Sequence, residues 1–365
     1  MDVDVVEPAE VGPAERERWA TFQDGDNRLQ SPFLSLEFTE AAARHRPEVR
    51  VAVVSEDGEV VGFLPFERGP FGEATGPAAL VNEAHGVVHR PGWTWDTRRL
   101  LDLCGIGVFD YDQMPGRPAP FSQHTTCRGE SPIMDLRDGF DAYLARARQR
   151  SSRIKDLPRR RRRLEREVGP VRFELAADDP DAVRTLIAWK SEQYRRTARR
   201  DRFATPWVRA LAEDVATLRT RGCSGTVSLL WAGDTLVAGH LGLRSAQVLP
   251  TWFPTYDPGF SRYSPGLLLH LAMAEHAAAE GVDYIDLGRG PSDYKDWLAD
   301  RSHEVWEGRA VVRTGAGVVH WARHVPMREL RNAVVAHPRV WGAMDRTLRT
   351  FASFRAAVRP GADPE

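Results

Sequence analysis

An arginine-rich segment in the middle of the chain divides the sequence into two stretches that repeat one order of predicted elements. The segment covers residues 145–167 and contains ten arginines and one lysine against three acids. On each side, the apolar periodicity predicts a strand, two helices, a β-hairpin, a further strand, a helix and another strand. A chain of 365 residues also exceeds the size at which one hydrophobic core usually stops growing. The sequence therefore predicts two domains of one architecture joined by a basic helix.

The N-terminal half carries one strong local signal, which is a β-hairpin. Two apolar runs, Val49–Ser55 and Glu59–Phe66, are joined by an Asp-Gly pair, and this pair favours a tight turn between strands. Short strands are predicted at 86–89 and 106–109. Residues 112–130 are predicted to form a long loop, and residues 131–136 a closing strand.

The C-terminal half repeats this order with stronger boundaries. A second hairpin is predicted at 225–243, followed by a strand at 247–256 and another at 282–287. Between these last two strands, Ser264 is a favoured helix N-cap, Pro265 suits the first helical position, and Gly281 is typical of a helix end. The pattern predicts a helix from Ser264 to Gly281.

Two prolines interrupt the strand at 247–256. Pro250 and Pro254 have no backbone N–H, so one edge of this strand cannot be fully paired within a sheet. Either the strand lies at the edge of its sheet, or it separates from its neighbour and leaves a gap that a ligand can enter.

Titratable side chains follow the ends of these strands. Such side chains can serve as a base, as donors to a developing negative charge and as an acid for a leaving group. The candidate catalytic residues are Lys295, Asp257, Asp286, His240, Tyr256 and Tyr294. Each has a purely structural alternative: His240 as a core residue, Asp286 as a cap of the following glycine loop, and Lys295 as a surface lysine.

The turn before the predicted helix at 264–281 is a candidate anion site. Free amides in the first turn of a helix, together with the helix dipole, attract phosphate groups. The candidate cofactor-binding residues are Arg262, Tyr263, Ser264, Gly266 and Leu267.

Three motifs in this half occur together: G-H-L-G-L at 239–243, Y-D-P-G-F-x-x-Y-S-P-G-L-L-L at 256–269, and D-L-G-R-G-x-x-x-Y-K-D-W at 286–297. In this combination the chain resembles the CelD-like acetyltransferase family of the GNAT superfamily, over residues 140–300. More distantly it is similar to the Fem peptidyltransferases, which also contain two GNAT halves. The resemblance implies an α+β fold of two tandem GNAT-like domains, each a mostly antiparallel mixed sheet flanked by helices.

The resemblance also implies chemistry. An aromatic-lysine pair at this position serves substrate phosphate or oxyanion stabilisation in Fem-like enzymes, and Tyr294-Lys295 matches it. In a GNAT fold the acyl-thioester arm inserts between two separated strands, which would suit the strand that carries Pro250 and Pro254. The chain departs from the pattern by lacking a coiled-coil arm and the usual glycine-rich acyl-CoA loop.

Bulk properties restrict the partners and the compartment. The formal net charge is −1, so the chain as a whole is not a polyanion binder. Its three cysteines have neither disulfide-framework nor metal-clip spacing, and His85 and His89 are not placed to share a metal, so no metal is expected. We expect a cytoplasmic protein without a signal peptide or a transmembrane segment.

Two basic segments leave alternatives open. Five consecutive arginines, Arg159–Arg163, sweep more than one helical turn, so we expect that they cannot all share one solvent-facing stripe. They form either a solvated linker helix or a contact to a polyanion such as tRNA. Residues 327–357 alternate apolar and basic positions, which predicts a helix that packs on its own domain or lies on a membrane surface.

The sequence thus predicts an N-terminal GNAT-like domain at 1–137, an arginine-rich connecting helix at 138–169 and a catalytic GNAT-like domain at 170–325. C-terminal helices at 326–358 and a disordered tail at 359–365 follow. The expected function is direct transfer of an acyl group, most simply acetyl from acetyl-CoA, to a small-molecule or envelope-precursor amine. The alternatives are an aminoacyl-tRNA-dependent transferase and a non-catalytic scaffold protein.

Overall fold

The computed structural model describes residues 1–116 and 119–312. The C-terminal helices predicted at 326–358, the basic amphipathic segment at 327–357 and the tail at 359–365 lie outside the described residues. Within the described part of the chain, no helix combines the length and the apolar character needed to cross a membrane.

The N-terminal half forms one side of a large sheet that is covered by helices. Its strands are β1 (Asp2–Val6), β2 (Val49–Glu56), β3 (Glu59–Arg68), β4 (Glu73–Thr75), β5 (Val88–His89), β6 (Val108–Pro115) and β7 (Thr125–Asp135). Its helices are α1 (Pro13–Asp24), α2 (Leu36–His45) and α3 (Thr97–Leu103).

The predicted hairpin forms because two residues accept left-handed backbone conformations at its turn. Asp57 has φ 52° and Gly58 has φ 80°, which are the positive values that the favoured two-residue hairpin turn requires. The predicted long loop at 112–130 is wrong over most of its length. Strand β6 continues to Pro115, and β7 already begins at Thr125.

The connecting segment is two helices, followed by the elements of the C-terminal half. The helices are α4 (Phe140–Arg150), α5 (Ser152–Glu167), α6 (Pro180–Arg196), α7 (Pro206–Thr217), α8 (Pro265–Ala279) and α9 (Asp293–Leu298). The strands are β8 (Val171–Glu174), β9 (Ser224–Ala232), β10 (Thr235–Arg244), β11 (Val248–Pro250), β12 (Phe253–Tyr256), β13 (Tyr284–Asp286) and β14 (Arg301–Val311).

The two halves exchange their closing strands. Strand β7 comes from the N-terminal half but pairs with β13, while β14, which was not predicted, comes from the C-terminal half but pairs with β6. The strands β7 and β14 also pair with each other, so one sheet runs in the order β1-β2-β3-β4-β6-β14-β7-β13-β11. A smaller sheet has the order β12-β10-β9-β8. The boundary near residue 137 therefore separates two stretches of sequence but not two separate sheets.

Trp252 ties the halves together in the core. Its ring lies in T-shaped contact with Phe33 and Phe38 of the N-terminal half. Its indole N–H donates a hydrogen bond of 2.7 Å to the buried carbonyl of Val81. This contact places the segment around Val81 directly against the C-terminal half.

We expect Trp252→Phe to lower the free energy of unfolding by about 1–2 kcal/mol. The phenyl ring keeps most of the apolar contact, but the Val81 carbonyl loses its donor inside the core. Urea denaturation followed by circular dichroism measures the change. Trp207→Phe is the control, because its ring is only partly buried. Equal stability of Trp252→Phe and the wild type would contradict this account of the contact.

The basic helix α5 lies on the surface and buries one apolar stripe, Ile154, Leu157 and Leu164. Its arginines are held largely by acids of the same helix. Arg159 and Arg160 pair with Asp156, Arg161 with Glu165, and Arg163 with Glu167. All five arginines of the run reach solvent, at least in part. The expectation that the five arginines cannot all share the solvent-facing side of the helix is therefore wrong. The buried stripe is narrow, so most of the helix circumference faces solvent.

Candidate active site

A gap opens where β11 and β12 leave the strand beside them. Strand β11 runs parallel to β13, and the last rung of this ladder is the bond of 2.8 Å from the Thr251 N–H to the Asp286 carbonyl. One residue later the Trp252 N–H turns away and donates to Nε2 of His240 at 3.2 Å. Strand β12 then pairs with β10 in the other sheet. The predicted single strand at 247–256 is therefore two strands that belong to different sheets.

Pro254 fits this arrangement. It lies opposite His240 in a pair that exchanges no backbone hydrogen bonds, while the pairs on either side do. The backbone groups of Pro254 therefore point away from β10 and towards the gap. The N–H that proline lacks is not needed for the pairing of β12 with β10. Its carbonyl accepts a hydrogen bond of 2.7 Å from Lys190 Nζ. Both alternatives left by the prolines therefore describe the structure, because β11 and β12 are the outermost strands of their sheets and a gap opens where they part.

His240 is a buried core residue and does not line the gap. Burial lowers the pKa of its imidazole to about 3, so the ring is neutral and Nε2 is free to accept the Trp252 N–H. A Cβ on Gly242 would lie 2.2 Å from the His240 ring, which explains the second glycine of the G-H-L-G-L motif. His240 therefore helps to end the β11–β13 ladder, in a structural role.

The gap leads into a cavity of about 440 Å³. Helix α6 provides Lys190 and Tyr194, β12 provides Tyr256, and the α9 segment provides Tyr294. The start of α8 closes the remaining side with Ser264, Gly266 and Leu267. The structure therefore brings together Tyr256, Tyr294 and three of the five residues predicted to bind the donor.

The first turn of α8 directs backbone N–H groups towards the cavity. Ser264 has φ 57° and its carbonyl accepts from Leu267 and Leu268. Pro265 has no N–H, and the Gly266 N–H has no hydrogen-bond partner among the described residues. A free amide at the positive end of a helix dipole is suited to an anionic group.

Arg262 and Tyr263 point elsewhere. The Tyr263 hydroxyl is buried and donates to Glu167 of α5 at 2.7 Å, and Arg262 contacts the same pair. These two side chains fix α5 against the turn before α8 and do not line the cavity. Their placement does not match the donor-binding role predicted from the sequence.

His270 was not among the predicted residues, although it lines the cavity and is only 3% exposed. Its Nδ1–H donates to the Gly266 carbonyl at 2.6 Å. Burial lowers its pKa to about 4, so Nε2 carries a lone pair, and this atom has no hydrogen-bond partner. The His270 ring beside the cavity therefore carries one buried acceptor that no described residue uses.

Lys295 is buried, which excludes the surface-lysine alternative. Its Nζ donates to the carbonyls of Gly288 at 2.7 Å and Arg289 at 3.0 Å. Burial lowers its pKa, while the nearby charges of Glu83 and Asp286 oppose that effect. The lysine thus holds the glycine loop that follows β13, and its charge lies close to the gap.

The two predicted carboxylates are engaged in local structure. Asp257 accepts from the Gly259 N–H at 2.8 Å and begins a short helical turn. Asp286 accepts from the Ser131 hydroxyl at 2.5 Å and from the Gly288 N–H at 2.8 Å. The alternative of Asp286 as a cap of the glycine loop therefore describes its observed contacts.

Two charged residues at the gap were missed from the sequence, Glu83 and Lys190. The chain contains only three lysines, at 155, 190 and 295, and two of them lie buried at the gap. Because lysine changes its protonation state when buried and arginine does not, this scarcity was a usable signal. Burial lowers the pKa of Lys190 to about 7, with Arg199 and Arg202 adding to the effect. Glu83 gave no comparable signal.

We expect Lys190→Met to raise the free energy of unfolding by about 2 kcal/mol at pH 6–7. The buried cation is unfavourable, and this outweighs the loss of its single hydrogen bond to Pro254. Because the folded-state pKa lies below the unfolded one, the unfolded chain binds more protons between these two values. Wild-type stability then rises with pH above 7, and the advantage of the variant shrinks towards pH 10.

Urea denaturation at several pH values measures this difference. Lys155→Met provides the control, since Lys155 is exposed on α5. A variant less stable than the wild type at pH 6–7 would contradict a lowered pKa for Lys190.

Comparison with known protein families assigns residues 151–296 to the acetyltransferase (GNAT) domain family. This stretch runs from α5 to α9 and includes the gap, the α8 turn and Lys295. No protein of curated function matches this sequence. Over residues 151–296, which contain the site, the chain is therefore similar to the GNAT acetyltransferase domain.

Solved structures show the same fold over most of the chain. FemX superposes with a TM-score of 0.59 at 11% identity, covering 84% of this chain and 98% of FemX. A protein of unknown function from Bacteroides thetaiotaomicron gives 0.54 at 12% identity, covering 83% and 98%. The C-terminal DUF2156 domain of an Agrobacterium fabrum protein assigned to the lysylphosphatidylglycerol synthetases gives 0.50 at 12%, covering 83% and 95%. At such identities the likeness concerns the fold. The predicted class, tandem GNAT-like halves with mixed sheets flanked by helices, is confirmed.

Proposed function

We propose that this protein is an N-acyltransferase of the CelD-like type, which transfers an acyl group, most simply acetyl, from acyl-CoA to an amine in the cytoplasm. The observation that carries the proposal is the gap between β12 and β13, because it opens into a cavity whose far wall is the first turn of α8. The GNAT domain match over this stretch supports the same chemistry.

The residues present fit an acyl-CoA co-substrate. Tyr256 lies opposite Ala238 in a pair that exchanges no backbone hydrogen bonds with β10. The backbone N–H and C=O of Tyr256 therefore point towards the gap. The free Gly266 N–H and the α8 dipole suit a phosphate group. Lys295 and Tyr294 supply a cation and a hydroxyl at the end of the gap for the developing oxyanion.

The acceptor reacts directly in this proposal. Among the described residues that line the cavity there is no cysteine, and no serine hydroxyl there donates to a carboxylate or an imidazole, so the proposal includes no covalent acyl-enzyme. The amine nitrogen attacks the thioester carbon, the C–S bond breaks, and the thiol and the amide are the products. The acceptor class is a small-molecule or envelope-precursor amine.

Calorimetric titration with acetyl-CoA tests the proposal. We expect saturable binding at one site per chain, and thiol release when amines such as glucosamine are added. Titration with bulk tRNA at two salt concentrations is the parallel measurement. Because the arginines of α5 pair with acids of their own helix, we expect tRNA to bind weakly. Tight, salt-sensitive binding of tRNA without binding of acetyl-CoA would favour an aminoacyl-tRNA donor instead, and binding of neither would leave a scaffold protein.

We expect Gly266→Asp to weaken acetyl-CoA binding by about tenfold or more, because a carboxylate at the first turn of α8 competes with the phosphate for the free amide. Gly266→Ala is the matched control. A Cβ there meets only the Tyr256 ring, at 3.5 Å, so alanine fits and should change the dissociation constant by less than about twofold. Equal binding by the Asp and Ala variants would show that the donor phosphates lie elsewhere.

A further inference from the structure

A segment of the N-terminal half is fixed at the point where the strands separate. The Val81 carbonyl accepts the Trp252 indole N–H at 2.7 Å, and Trp252 is the residue at which β11 and β12 part. Asn82 stiffens the segment from within, since its side chain donates to the Pro77 carbonyl at 2.9 Å and accepts from the Ala84 N–H at 2.8 Å. The residue between Asn82 and Ala84 is Glu83.

The carboxylate of Glu83 lies against the other side of the gap. A Cβ built on Gly288 would be 3.5 Å from Glu83 Oε2, and Gly288 lies two residues after the end of β13. The same glycine offers its carbonyl to Lys295. Glu83 is therefore anchored beside Trp252 on one side, and on the other its carboxylate lies close to Gly288 in the loop after β13, which places it near the end of the gap where β11 and β13 still pair.

The charges around Glu83 come from several elements. Lys190 of α6, Arg202, Lys295 of α9 and Asp286 of β13 all act on it. Burial raises its pKa to about 7, Asp286 adds to this, and the cations oppose it. The charge of Glu83 also acts on Tyr294, which lines the cavity. Burial is the largest cause that raises the pKa of the Tyr294 hydroxyl, and the Glu83 charge is the second.

Glu83 is also free to accept a proton from a ligand. It is partly buried, and its carboxylate makes no hydrogen bond to any other described residue. The carboxylates predicted from the sequence differ in this respect, because Asp257 and Asp286 already accept backbone N–H groups. His240 is neutral and donates nothing to the gap.

We propose that Glu83, a residue of the N-terminal half, is the general base of the acyl transfer performed in the C-terminal half. This inference rests on the proposed function. Glu83 takes one proton from the ammonium form of the acceptor, and the free amine then attacks the thioester carbon. The C–N bond forms as the C–S bond breaks, and the second nitrogen proton passes to the sulfur. The products are the amide, the thiol and one proton that Glu83 returns to solvent.

The test compares Glu83→Gln with the wild type and with Glu59→Gln, a control in the exposed start of β3. Thiol release from acetyl-CoA with glucosamine as the amine probe is followed from about pH 5.5 to 9. We expect the pH–rate profile of the wild type to have a rising limb near pH 7, where Glu83 loses its proton. In Glu83→Gln this limb should disappear and the rate should fall about 10²- to 10⁴-fold, which is the usual contribution of a general base. Glu59→Gln should match the wild type.

Two further measurements keep the outcomes distinct. Acetyl-CoA binding should be unchanged within about twofold in Glu83→Gln, and loss of binding by the wild type itself would remove the proposed function rather than this inference. Carbon-13 NMR of labelled glutamate should show one carboxyl that titrates near pH 7 in the wild type and in Glu59→Gln, and that is absent from Glu83→Gln. If that carboxyl titrates near pH 4.5, or if Glu83→Gln keeps both the rate and the limb, Glu83 is not the base. If glucosamine is not turned over, a carboxyl that titrates near pH 4.5 still overturns the inference.

Discussion

Replacing Lys295 by methionine is expected to lower kcat/KM for acyl transfer about 10²- to 10³-fold, which is the usual loss when one donor that stabilises an oxyanion is removed. Methionine fills a similar volume but cannot bond the carbonyls of Gly288 and Arg289. The glycine loop after β13 therefore loses its anchor, and the gap loses a positive charge at its end. Steady-state kinetics measured well below the unfolding temperature isolate this effect from a loss of fold.

Lys295→Arg should not restore the rate. The planar guanidinium cannot place its donors where the compact ammonium bonds two successive carbonyls. Lys155→Met is the control, since Lys155 lies exposed on α5, and it should leave the rate within about twofold. Full activity of Lys295→Met would remove this residue from the chemistry and leave it as a structural lysine.

Replacing Gly242 by alanine is expected to lower the free energy of unfolding by about 3 kcal/mol or more. The new methyl group would lie 2.2–2.3 Å from two atoms of the buried His240 ring, so the ring must move. Movement breaks the bond from the Trp252 N–H to Nε2 of His240 and leaves this buried donor with only its bond of 3.1 Å to the Pro250 carbonyl. Urea denaturation measures the loss.

A second substitution identifies the cause. In His240→Ala/Gly242→Ala the ring that clashes is absent, so the combined loss should be clearly smaller than the sum of the two single losses. Gly86→Ala is the control, since a Cβ there meets only the Met114 side chain, at 3.8 Å. Additive losses would show that the clash with His240 is not the reason for the glycine.

Local signals were sufficient for much of the fold. The Asp57-Gly58 turn, the Ser264-Pro265-Gly266 helix start and the alternating strands depend on neighbours in sequence, and the structure has these elements within a few residues. The prolines of the 247–256 strand indicated incomplete pairing, either at the edge of a sheet or at a separation, because a missing N–H acts wherever the strand pairs. These features also predicted which helix turn faces the cavity.

Side-chain directions were predicted less well. Ser264, Gly266 and Leu267 line the cavity, whereas the neighbouring Arg262 and Tyr263 contact Glu167 of α5. His240 resembled a base in the sequence, but its ring completes a hydrogen bond in the core. Such assignments depend on which element packs against each residue, and spacing along the chain does not record that.

The sequence by itself determined the order of elements, the tandem GNAT-like class and the stretch of chain at which the gap forms, because turns, caps and prolines act over a few residues. Only the tertiary structure decided that β7 and β14 change places between the halves and that Glu83 reaches the end of β13. The physical reason is distance along the chain. Strand pairing and charge clustering join residues separated by more than 150 positions, and these contacts depend on the packing of the whole molecule.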